Sequence, residues 1–388
     1  MRIKINSLKS SEPGPGYIEL SQKITSNGTV NAYQSTGEED CIWDAFLSNT
    51  PGGQYLQTSM WARVKSLESW RPVRVVFIID NSIVGGFQVL MQSKPYLGII
   101  GYIFKGPIIA SDAPDLIEFV IENLRQAAKS NKIRVLVVQL PDNHKALSTL
   151  LKGSGFLSNY LGDIIQSATV LIDLREELDD ILKNMKREKR KNIRSGLRKG
   201  VKVREGGEKD LGIFFKFMLE TCKRQGVMPS PSNEVFLTTM WHLFSPRGYF
   251  RLFLSEYNGE DLSGIIAIPF GKTVYLWKFG WSGRYGNCRP NDMLHWEIFK
   301  WSKNHGYSYA DLVTISSESA DEAINTRTRS EKTRKTSSFF KLGFGGKVVV
   351  HPEACVYIHN PAIRFAYRTL MPLLNVRPAL KNKILGRG

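Results

Sequence analysis

The sequence predicts an α/β protein made of two modules, each a mixed, largely antiparallel sheet flanked by helices. Three observations lead to this fold class. The chain has 388 residues, which is more than one domain usually holds. Hydrophobic residues make up 42% of it and aromatic residues 11%, as in ordinary globular proteins. Each half also shows one order of elements, namely helix, hairpin strands, helix and strand.

The first half supplies this order after a lead-in. Residues 1–40 are rich in Ser, Gly, Asn and Thr, which predicts only a short strand or two. A helical stretch begins at Cys41, and the segments RPVRVVFII and IVGGFQVLMQS predict a hairpin that turns at Asp80–Asn81. The strand GIIGYIFKGPII precedes an amphipathic helix over Asp115–Asn131, and IRVLVVQL predicts a buried strand after it. We assign residues 41–166 to the first module.

The second half restarts the pattern. VKVREGG predicts a strand, and Glu208–Gln225 and Asn233–Phe244 predict two helices. Three strands follow in YFRLFLSEYNGEDLSGIIAIPFGKTVYLWKFGWSG, joined by tight Asn-Gly and Gly-Lys turns. Pro290–His305 then predicts a helix and YSYADLVTI a strand. We assign residues 167–344 to the second module and expect 345–388 to complete the first one.

The most charged stretch of the chain is KNMKREKRKNIRSGLRKGVKVR, over Lys183–Arg204. It holds eleven Lys or Arg residues against one acid, Glu188, in a chain of net charge +17 and pI near 9.6. On one continuous helix the basic residues form a cationic stripe: Lys183, Arg187, Arg190, Arg194 and Arg198. An apolar stripe lies beside it: Leu178, Ile181, Met185, Ile193 and Leu197. The pattern is typical of a solvated basic face or of a helix that binds a polyanion.

The cysteines and the apolar segments bear on the location of the protein. Four cysteines lie far apart without a CxxC spacing, which argues against a zinc site or a disulfide framework and indicates a reducing compartment. The N-terminus lacks an apolar signal core, and no run of 18 apolar residues occurs. We therefore expect a cytoplasmic protein without a metal site. The basic helical tail after Asn360 is expected to pack on the first module, with contact to a membrane surface as the alternative.

Familiar catalytic signatures are missing from the sequence. GFGGK at Gly343–Lys347 fails the P-loop spacing, and neither HExxH nor GxSxG occurs. His295 lies between aromatic residues in MLHWEIFKW, where we expect a core or surface histidine rather than a ligand or a base. Acyl-CoA transferases need a glycine-rich loop before a helix, but GWSGRYGNCRPND has the wrong spacing around Arg284 and Gly286. Pro290 also removes an N–H from the first helical turn, so CoA is disfavoured and no cofactor is expected.

Six motifs in a fixed order give the chain a specific resemblance. They are GQYLQTSMWARVK, YIFKGPII, KRKNIRSGLRKGVKV, LWKFGWSG, PNDMLHWEIFKWSKNHGYSYADL and FFKLGFGG, spread over residues 50–350. Together they resemble the FemABX family, the tRNA-dependent aminoacyltransferases that build peptidoglycan cross-bridges. The resemblance implies two GNAT-like modules, with the acceptor on the first and the aminoacyl-tRNA end on the second. No charged heptad stretch interrupts the second module, so we expect the compact form without a coiled-coil arm.

The resemblance also implies individual site residues. Lys341 falls on the family's Phe-Lys motif, whose lysine faces the aminoacyl ester, and is the expected catalytic residue. Asp311 in the YADL strand is expected either to orient the incoming amine or to be a structural carboxylate. The residues expected to bind the acceptor are Lys65, Trp61, Tyr102, Lys105 and Lys278. The GVMPSPSNEVF stretch lacks an expected Arg and Tyr, which leaves the nature of the acceptor open.

A larger set of residues is expected to hold the tRNA. Cations of the basic helix and of the loop before Phe340 would bind phosphates, which gives affinity and position rather than sequence choice. The set is Lys186, Arg187, Arg190, Arg194, Arg198, Arg327, Arg329, Arg334, Lys335 and Phe340. Trp277 and Trp281 are expected to pack in the core, with stacking on terminal bases as the alternative.

These features together predict an aminoacyltransferase that uses aminoacyl-tRNA and forms an amide on an acceptor amine, foremost on a peptidoglycan precursor. The aminoacyl ester is already activated, so neither ATP nor a protein nucleophile is needed. The same chemistry on a small-molecule or peptide natural product is the first alternative. An acyl-CoA-dependent N-acyltransferase and a non-catalytic RNA- or membrane-binding protein are the others.

Overall fold

The computed structural model describes residues 3–4, 16–95, 97–142, 145–160, 167–325 and 336–375. The chain divides into two compact units. The first comprises Met1–Ile165 and His351–Gly388, and the second comprises Gln166–Val350. Each unit has its own mixed sheet, flanked by helices, and its own hydrophobic core. The predicted fold class, two largely antiparallel α/β modules, is confirmed.

The first unit holds ten strands and five helices in its described part. The strands are β1 (Ile3–Lys4), β2 (Tyr17–Thr25), β3 (Gly28–Ser35), β4 (Arg71–Ile79), β5 (Ser82–Lys94), β6 (Gly98–Ile103), β7 (Ile108–Ile109), β8 (Ile133–Val138), β9 (Leu157–Ser158) and β17 (Cys355–Tyr357). The helices are α1 (Cys41–Asn49), α2 (Ser59–Ser66), α3 (Pro114–Ser130), α4 (Lys145–Gly153) and α12 (Pro361–Asn375). The main strand order is β2-β3-β4-β5-β6-β8-β17-β9, and only β6 and β8 pair in parallel.

The second unit holds seven strands and seven helices within the residues described for it. The strands are β10 (Ala168–Asp173), β11 (Lys202–Gly206), β12 (Arg251–Tyr257), β13 (Glu260–Phe270), β14 (Thr273–Trp281), β15 (Tyr309–Ile315) and β16 (Lys347–Val350). The helices are α5 (Leu178–Asn184), α6 (Arg187–Arg198), α7 (Leu211–Gln225), α8 (Glu234–Phe244), α9 (Pro290–Asn304), α10 (Ser317–Asn325) and α11 (Ser337–Leu342). The order is β11-β12-β13-β14-β15-β10-β16, and only β14 and β15 pair in parallel.

Polar residues placed just before several helices explain where those helices begin. The side chains of Asp40, Thr58, Asn233 and Thr336 accept hydrogen bonds from backbone N–H groups in the first turns of α1, α2, α8 and α11. Such caps satisfy N–H groups that have no partner inside the helix. α9 begins differently, with Pro290 at its first position and no side-chain cap. Its N-terminal N–H groups are therefore not taken by a cap.

The basic segment is not the single helix that the sequence predicted. It forms α5 and α6, which are separated at Met185 and Lys186, both in extended conformation. The guanidinium of Arg190 donates to the carbonyls of Lys183 and Met185, at 2.8 and 2.6 Å, and so caps the end of α5. Leu197 is 67% exposed, so the predicted apolar stripe does not extend to the end of α6.

The C-terminal helix packs on the sheet of the first unit. Tyr367 and Met371 of α12 are buried in a cluster with Ile100, Tyr102 and Val356. Two other apolar residues of α12, Phe365 and Leu370, are 70% and 56% exposed. None of the helices in the described ranges is both long enough and apolar enough to cross a membrane.

Candidate functional site

Two neighbouring cavities lie in the second unit. The apolar cavity has a volume of about 390 Å³ and the basic cavity about 320 Å³. The apolar cavity is lined by Met218, Thr221, Val227, Met228, Leu276, Trp277, Lys278, Phe279, Asn291, His295, Leu312, Val313, Phe340 and Lys341, among others. The basic cavity is lined by Lys186, Glu188, Lys189, Asn192, Trp281, Gly286, Arg289, Pro290, Asn291, Asp292, Thr336, Phe339, Phe340 and Gly343.

The apolar cavity opens where two parallel strands separate. β14 and β15 pair only over Thr273–Tyr275 and Tyr309–Asp311. Beyond these pairs, residues of both strands line the cavity. Trp277 is an extra residue in β14, because its neighbours Leu276 and Lys278 pair with Ala267 and Ile266. Such a bulge re-aims side chains locally, and four consecutive residues, 276–279, line the cavity as a result.

Lys341 has a half-buried side chain at the wall of the apolar cavity. It lies on the short helix α11, and its ammonium donates to the carbonyl of Thr314 at 2.8 Å. Burial lowers the pKa of Lys341 to about 8, the charge of Asp311 opposes this shift, and Lys278 adds to it. The predicted catalytic lysine thus lies at the wall of a cavity, and burial lowers the pKa of its ammonium.

Asp311 does not line either cavity. Its carboxylate accepts hydrogen bonds from the hydroxyl of Thr169 and from the N–H of Val313, the latter at 2.7 Å. Val313 has a φ of 53°, an uncommon conformation for a β-branched residue. The hydrogen bond from its N–H to Asp311 forms at this strained position. This arrangement supports the structural alternative for Asp311 and argues against direct contact with an amine.

The basic cavity is built around a buried ion pair. The ammonium of Lys189 lies 2.8 Å from Asp292, and the two side chains are 9% and 7% exposed. Burial lowers the pKa of Lys189, and the Asp292 carboxylate opposes this shift. Lys186 is exposed at the same cavity, with its ammonium 4.7 Å from the ring centre of Phe339. The exposed Arg289 precedes the uncapped N-terminus of α9.

Phe340 and Asn291 line both cavities and therefore form the wall between them. The ammonium of Lys189 lies 3.2 Å from the ring centre of Phe340, which holds this ring in place by a cation–π interaction. The side-chain oxygen of Asn291 is buried and has no hydrogen-bond partner among the described residues. A buried polar atom of this kind usually signals a ligand or water.

The sequence reading missed two residues of this site. Lys189 lies four residues before the buried Ile193 and therefore on the same, inward side of α6. A lysine at a buried position of the apolar pattern could have indicated a buried ion pair. His295 lines the apolar cavity, although it was expected to be a core or surface residue. His295 is 5% exposed, so it is buried as expected of a core residue. Its place in the cavity wall was not expected.

Six of the ten residues predicted to hold tRNA lie in the part of the chain that the structure describes. Arg187, Arg194 and Arg198 are exposed on α6, and Lys186 is exposed at the basic cavity. The half-buried Arg190 caps α5 instead, which corrects its assignment to the free cationic stripe. The remaining four cations, Arg327, Arg329, Arg334 and Lys335, lie outside the described residues.

Four of the residues predicted to bind the acceptor lie in the first unit, and Lys278 lies in the second. Trp61 and Tyr102 are 7% and 5% exposed and pack edge-on against Tyr55 and Trp70. These two rings are core residues, and their contact with an acceptor stays a prediction. Lys65 forms an ion pair with Glu68, and its ammonium lies 5.2 Å from the ring centre of Trp70.

Lys105 is also buried. Its ammonium lies 3.1 Å from Asp142, and the same carboxylate oxygen is 2.7 Å from Nδ1 of His351. The hydrogen bond to His351 and the charge of Lys105 hold the pKa of Asp142 below its usual range despite burial. This network gives Lys105 an ion pair within the first unit, and its contact with an acceptor stays a prediction. Lys278 differs, because it is half-buried in the apolar cavity near Lys341.

Comparison with known proteins agrees with the two-unit architecture. A model of the FemAB family matches residues 39–150, and a model of a GNAT acetyltransferase domain matches residues 183–322. A protein of Staphylococcus saprophyticus described as lipid II:glycine glycyltransferase is 28% identical over 225 residues, which are 55% of this chain and 54% of that protein. The protein of that description from Staphylococcus aureus is 27% identical over 198 residues, 48% and 46% of the two chains. The chain spans about half the length of these curated relatives.

Solved structures share the fold. The crystal structure of FemX has a TM-score of 0.73 at 17% identity, covering 84% of this chain and 97% of that one. A tandem GNAT protein from the clavulanic acid pathway has a TM-score of 0.51 at 8% identity, covering 86% and 99% of the two chains. At these identities, the two likenesses show a shared fold. The FemAB family model, the relatives and the fold shared with FemX support the resemblance of this chain to the FemABX family.

Proposed function

We propose that this protein moves an amino acid from aminoacyl-tRNA to an amine of a peptidoglycan precursor. The observation that carries the proposal is the position of Lys341 at the wall of an apolar cavity, next to Phe340, which separates it from a basic cavity. The relatives described as lipid II:glycine glycyltransferases support this reaction, because their description names glycyl transfer and lipid II.

The basic cavity would receive the end of the tRNA. Lys186 and Arg289 are exposed cations at this cavity, and the N-terminus of α9 adds N–H groups that no side chain caps. Helix N-termini bind phosphates because their N–H groups and dipole attract negative charge. Phe339, Phe340 and Trp281 line the same cavity and offer ring faces to a terminal nucleoside.

Lys341 would stabilise the transition state. When an amine attacks the ester carbonyl, negative charge develops on the carbonyl oxygen, and an ammonium in a dry cavity stabilises that charge strongly. The new C–N bond forms as the C–O bond to the ribose breaks. The amine loses one proton in this step, and the ribose oxygen that leaves gains one. A cation that is already in place contributes roughly 3 kcal/mol to lowering such a barrier.

The division of labour between the units is part of the proposal. The second unit would bind the donor, because it contains both cavities and the exposed cations of α6. The first unit would bind the acceptor, with Lys65 as a candidate for an anionic group. Lys278 is half-buried in the apolar cavity and would therefore lie near the amine of the acceptor.

A peripheral contact with the membrane surface is a finer part of the proposal. The acceptor of the curated relatives, lipid II, is lipid-linked. Phe365, Leu370 and Arg368 of α12 are all exposed. Exposed apolar residues next to a cation suit the boundary between acyl chains and anionic headgroups.

A second candidate function is N-acyl transfer from acyl-CoA. The match of the GNAT domain model to residues 183–322 favours it, since it covers both cavities apart from residues 336–343. The uncapped N-terminus of α9 could hold a pyrophosphate as well as a tRNA phosphate. Pro290 removes one of the N–H groups there, which makes the site less complete for this ligand.

One experiment tests both candidates. The protein is incubated with total aminoacyl-tRNA, and in parallel with acetyl-CoA, in the presence of lipid II and of a soluble muropeptide, followed by mass spectrometry. We expect a mass increment of an amino acid on lipid II, on the soluble muropeptide or on both, and we expect it to disappear after ribonuclease treatment. An acetyl increment with acetyl-CoA alone, or an amino-acid increment that survives ribonuclease, would overturn the proposal.

A further inference from the structure

His295 occupies a position that the reaction described above does not yet use. It lies in the second turn of α9 and is 5% exposed. Its ring stacks on Phe344 at 4.9 Å and meets Phe340 edge-on at 5.2 Å. These rings fix the plane of the imidazole, and His295 lines the apolar cavity together with Lys341.

The hydrogen bond of His295 determines which ring nitrogen carries the proton. Nδ1 lies 2.8 Å from the backbone carbonyl of Asn291, one helical turn earlier. A carbonyl oxygen can only accept, so Nδ1 is the donor and the neutral ring has its lone pair on Nε2. Burial, together with the charges of Lys189 and Lys341, lowers the pKa of His295 to about 3, against the bond to Asn291. The ring is therefore neutral throughout the physiological range.

Nε2 of His295 is a neutral hydrogen-bond acceptor in the cavity that Lys341 lines. Lys278 and Lys341 can donate hydrogen bonds but cannot accept them. An attacking amine must present its own lone pair to the ester, so its N–H bonds must point to acceptors. Within the described residues, no hydrogen bond to Nε2 of His295 is formed by the protein. The imidazole is thus available to a ligand that brings an N–H group.

We propose that Nε2 of His295 accepts a hydrogen bond from the attacking amine and so aims the nitrogen lone pair at the ester carbonyl beside Lys341. This inference rests on the proposed function, because it needs an amine acceptor and an ester donor. His295 acts here as an acceptor that orients the nucleophile, and the amine's proton leaves to the ribose oxygen as in the reaction above. The unpaired side-chain oxygen of Asn291, which lines the same cavity, is a second acceptor for that amine.

The test compares transfer to an amine with hydrolysis of the same donor. His295→Phe keeps the stacked ring but removes the acceptor nitrogen. With glycyl-tRNA and lipid II as probes, we expect its single-turnover transfer rate to fall by about 10²-fold. Hydrolysis of the donor by water in the absence of lipid II should stay within about twofold, because it needs Lys341 but no oriented amine. Transfer and hydrolysis falling by the same factor would overturn the inference.

His305→Phe is the matched control. His305 lies on the same helix and makes the same bond, with Nδ1 2.8 Å from the carbonyl of Trp301, but it is exposed and lines neither cavity. We expect it to transfer at the wild-type rate. If His295→Phe does not fold, His295→Gln is measured instead, since its amide oxygen can still accept. Its ratio of transfer to hydrolysis should then stay above one tenth of the wild-type ratio, and a lower ratio would count against the inference.

Failure of this inference and failure of the proposed function give different results. If the wild-type protein transfers glycine to lipid II and His295→Phe does so equally well, only the role of His295 is wrong. If the wild-type protein gives no tRNA-dependent product with any amino acid in the total aminoacyl-tRNA pool, the proposed function itself is wrong. The inference is then overturned together with it, because no amine is left to orient.

Discussion

Lys189 and Asp292 form a buried ion pair of 2.8 Å that joins α6 to the start of α9. The pair lies against the ring of Phe340, whose centre is 3.2 Å from the ammonium. Two glycines permit this packing. A Cβ at Gly343 would lie 2.7 Å from Cε of Lys189, and a Cβ at Gly196 would lie 2.3 Å from Cγ of Met293. The wall between the two cavities is therefore held by charge and by close approach of the backbone.

Breaking this ion pair should destabilise the protein. Asp292→Asn leaves the Lys189 ammonium buried without its counter-charge, and such a loss costs about 3–5 kcal/mol of the free energy of unfolding. Chemical denaturation of the wild type and the variant measures the difference. The control is Asp180→Asn, which breaks the exposed pair of Asp180 and Lys183, and it should leave the denaturation midpoint unchanged. Equal midpoints for both variants would contradict the structural role of the buried pair.

Removing the charge of Lys341 should abolish most of the transfer activity. Lys341→Met keeps the length of the side chain but removes the ammonium from the apolar cavity. We expect the single-turnover rate to fall about 10²–10³-fold with little change in tRNA binding, because the charge acts on the transition state. Rates and filter binding with aminoacyl-tRNA measure the two effects. Lys347→Met, at an exposed lysine of β16, is the control and should retain the wild-type rate.

The pH dependence of transfer should report the lowered pKa of Lys341. Its ammonium is charged below about 8 and loses its proton as the pH rises through that value. We therefore expect the rate at saturating substrates to fall above pH 8, although the acceptor amine becomes more nucleophilic there. Lys341→Arg keeps its charge at every accessible pH, so its rate should lack this fall. The same fall in the arginine variant would assign it to another group.

The exposed cations of α6 should contribute to tRNA binding through phosphates. We expect Arg194→Ala combined with Arg198→Ala to weaken binding of all tRNAs alike and to reduce the salt slope of the affinity by about 2, or about 1 per contact. Titrations at several salt concentrations measure this slope. Lys129→Ala combined with Lys132→Ala removes two exposed charges of the first unit and should leave the slope unchanged. Equal slopes for both double variants would assign tRNA binding to other residues.

Much of the secondary structure could be predicted because its signals are local. Asp115–Asn131 was expected as a helix and is found at Pro114–Ser130, and the hairpin expected at Asp80–Asn81 turns between β4 and β5. Both residues of that turn have positive φ, as a tight hairpin requires. The division of the basic segment into α5 and α6 was missed. It depends on the contact of Lys186 N–H with the carbonyl of Gly343, which lies 157 residues away in the sequence.

The only residues of the candidate site that the sequence predicted are those that lie in a recognisable motif. The Phe-Lys motif identified Phe340 and Lys341, which the structure places at the two cavities. Trp61, Tyr102 and Lys105 lie on motifs of the same kind, but packing and a buried ion pair account for them. A motif names a residue type at a position and does not report the exposure of its side chain.

The sequence by itself determined the two-module architecture, the basic character of α6 and the lysine at the centre of the proposed chemistry, since periodicity, composition and short motifs are local properties. Only the tertiary structure decided that Lys189 pairs with Asp292, that Arg190 caps α5 and that His295 faces the cavity of Lys341. The physical reason is that burial and charge pairing depend on which segments pack together, as for Lys189 and Asp292, which are 103 residues apart in the sequence. The free energy of each such pair depends on a residue that is close in space but cannot be identified from the local sequence pattern.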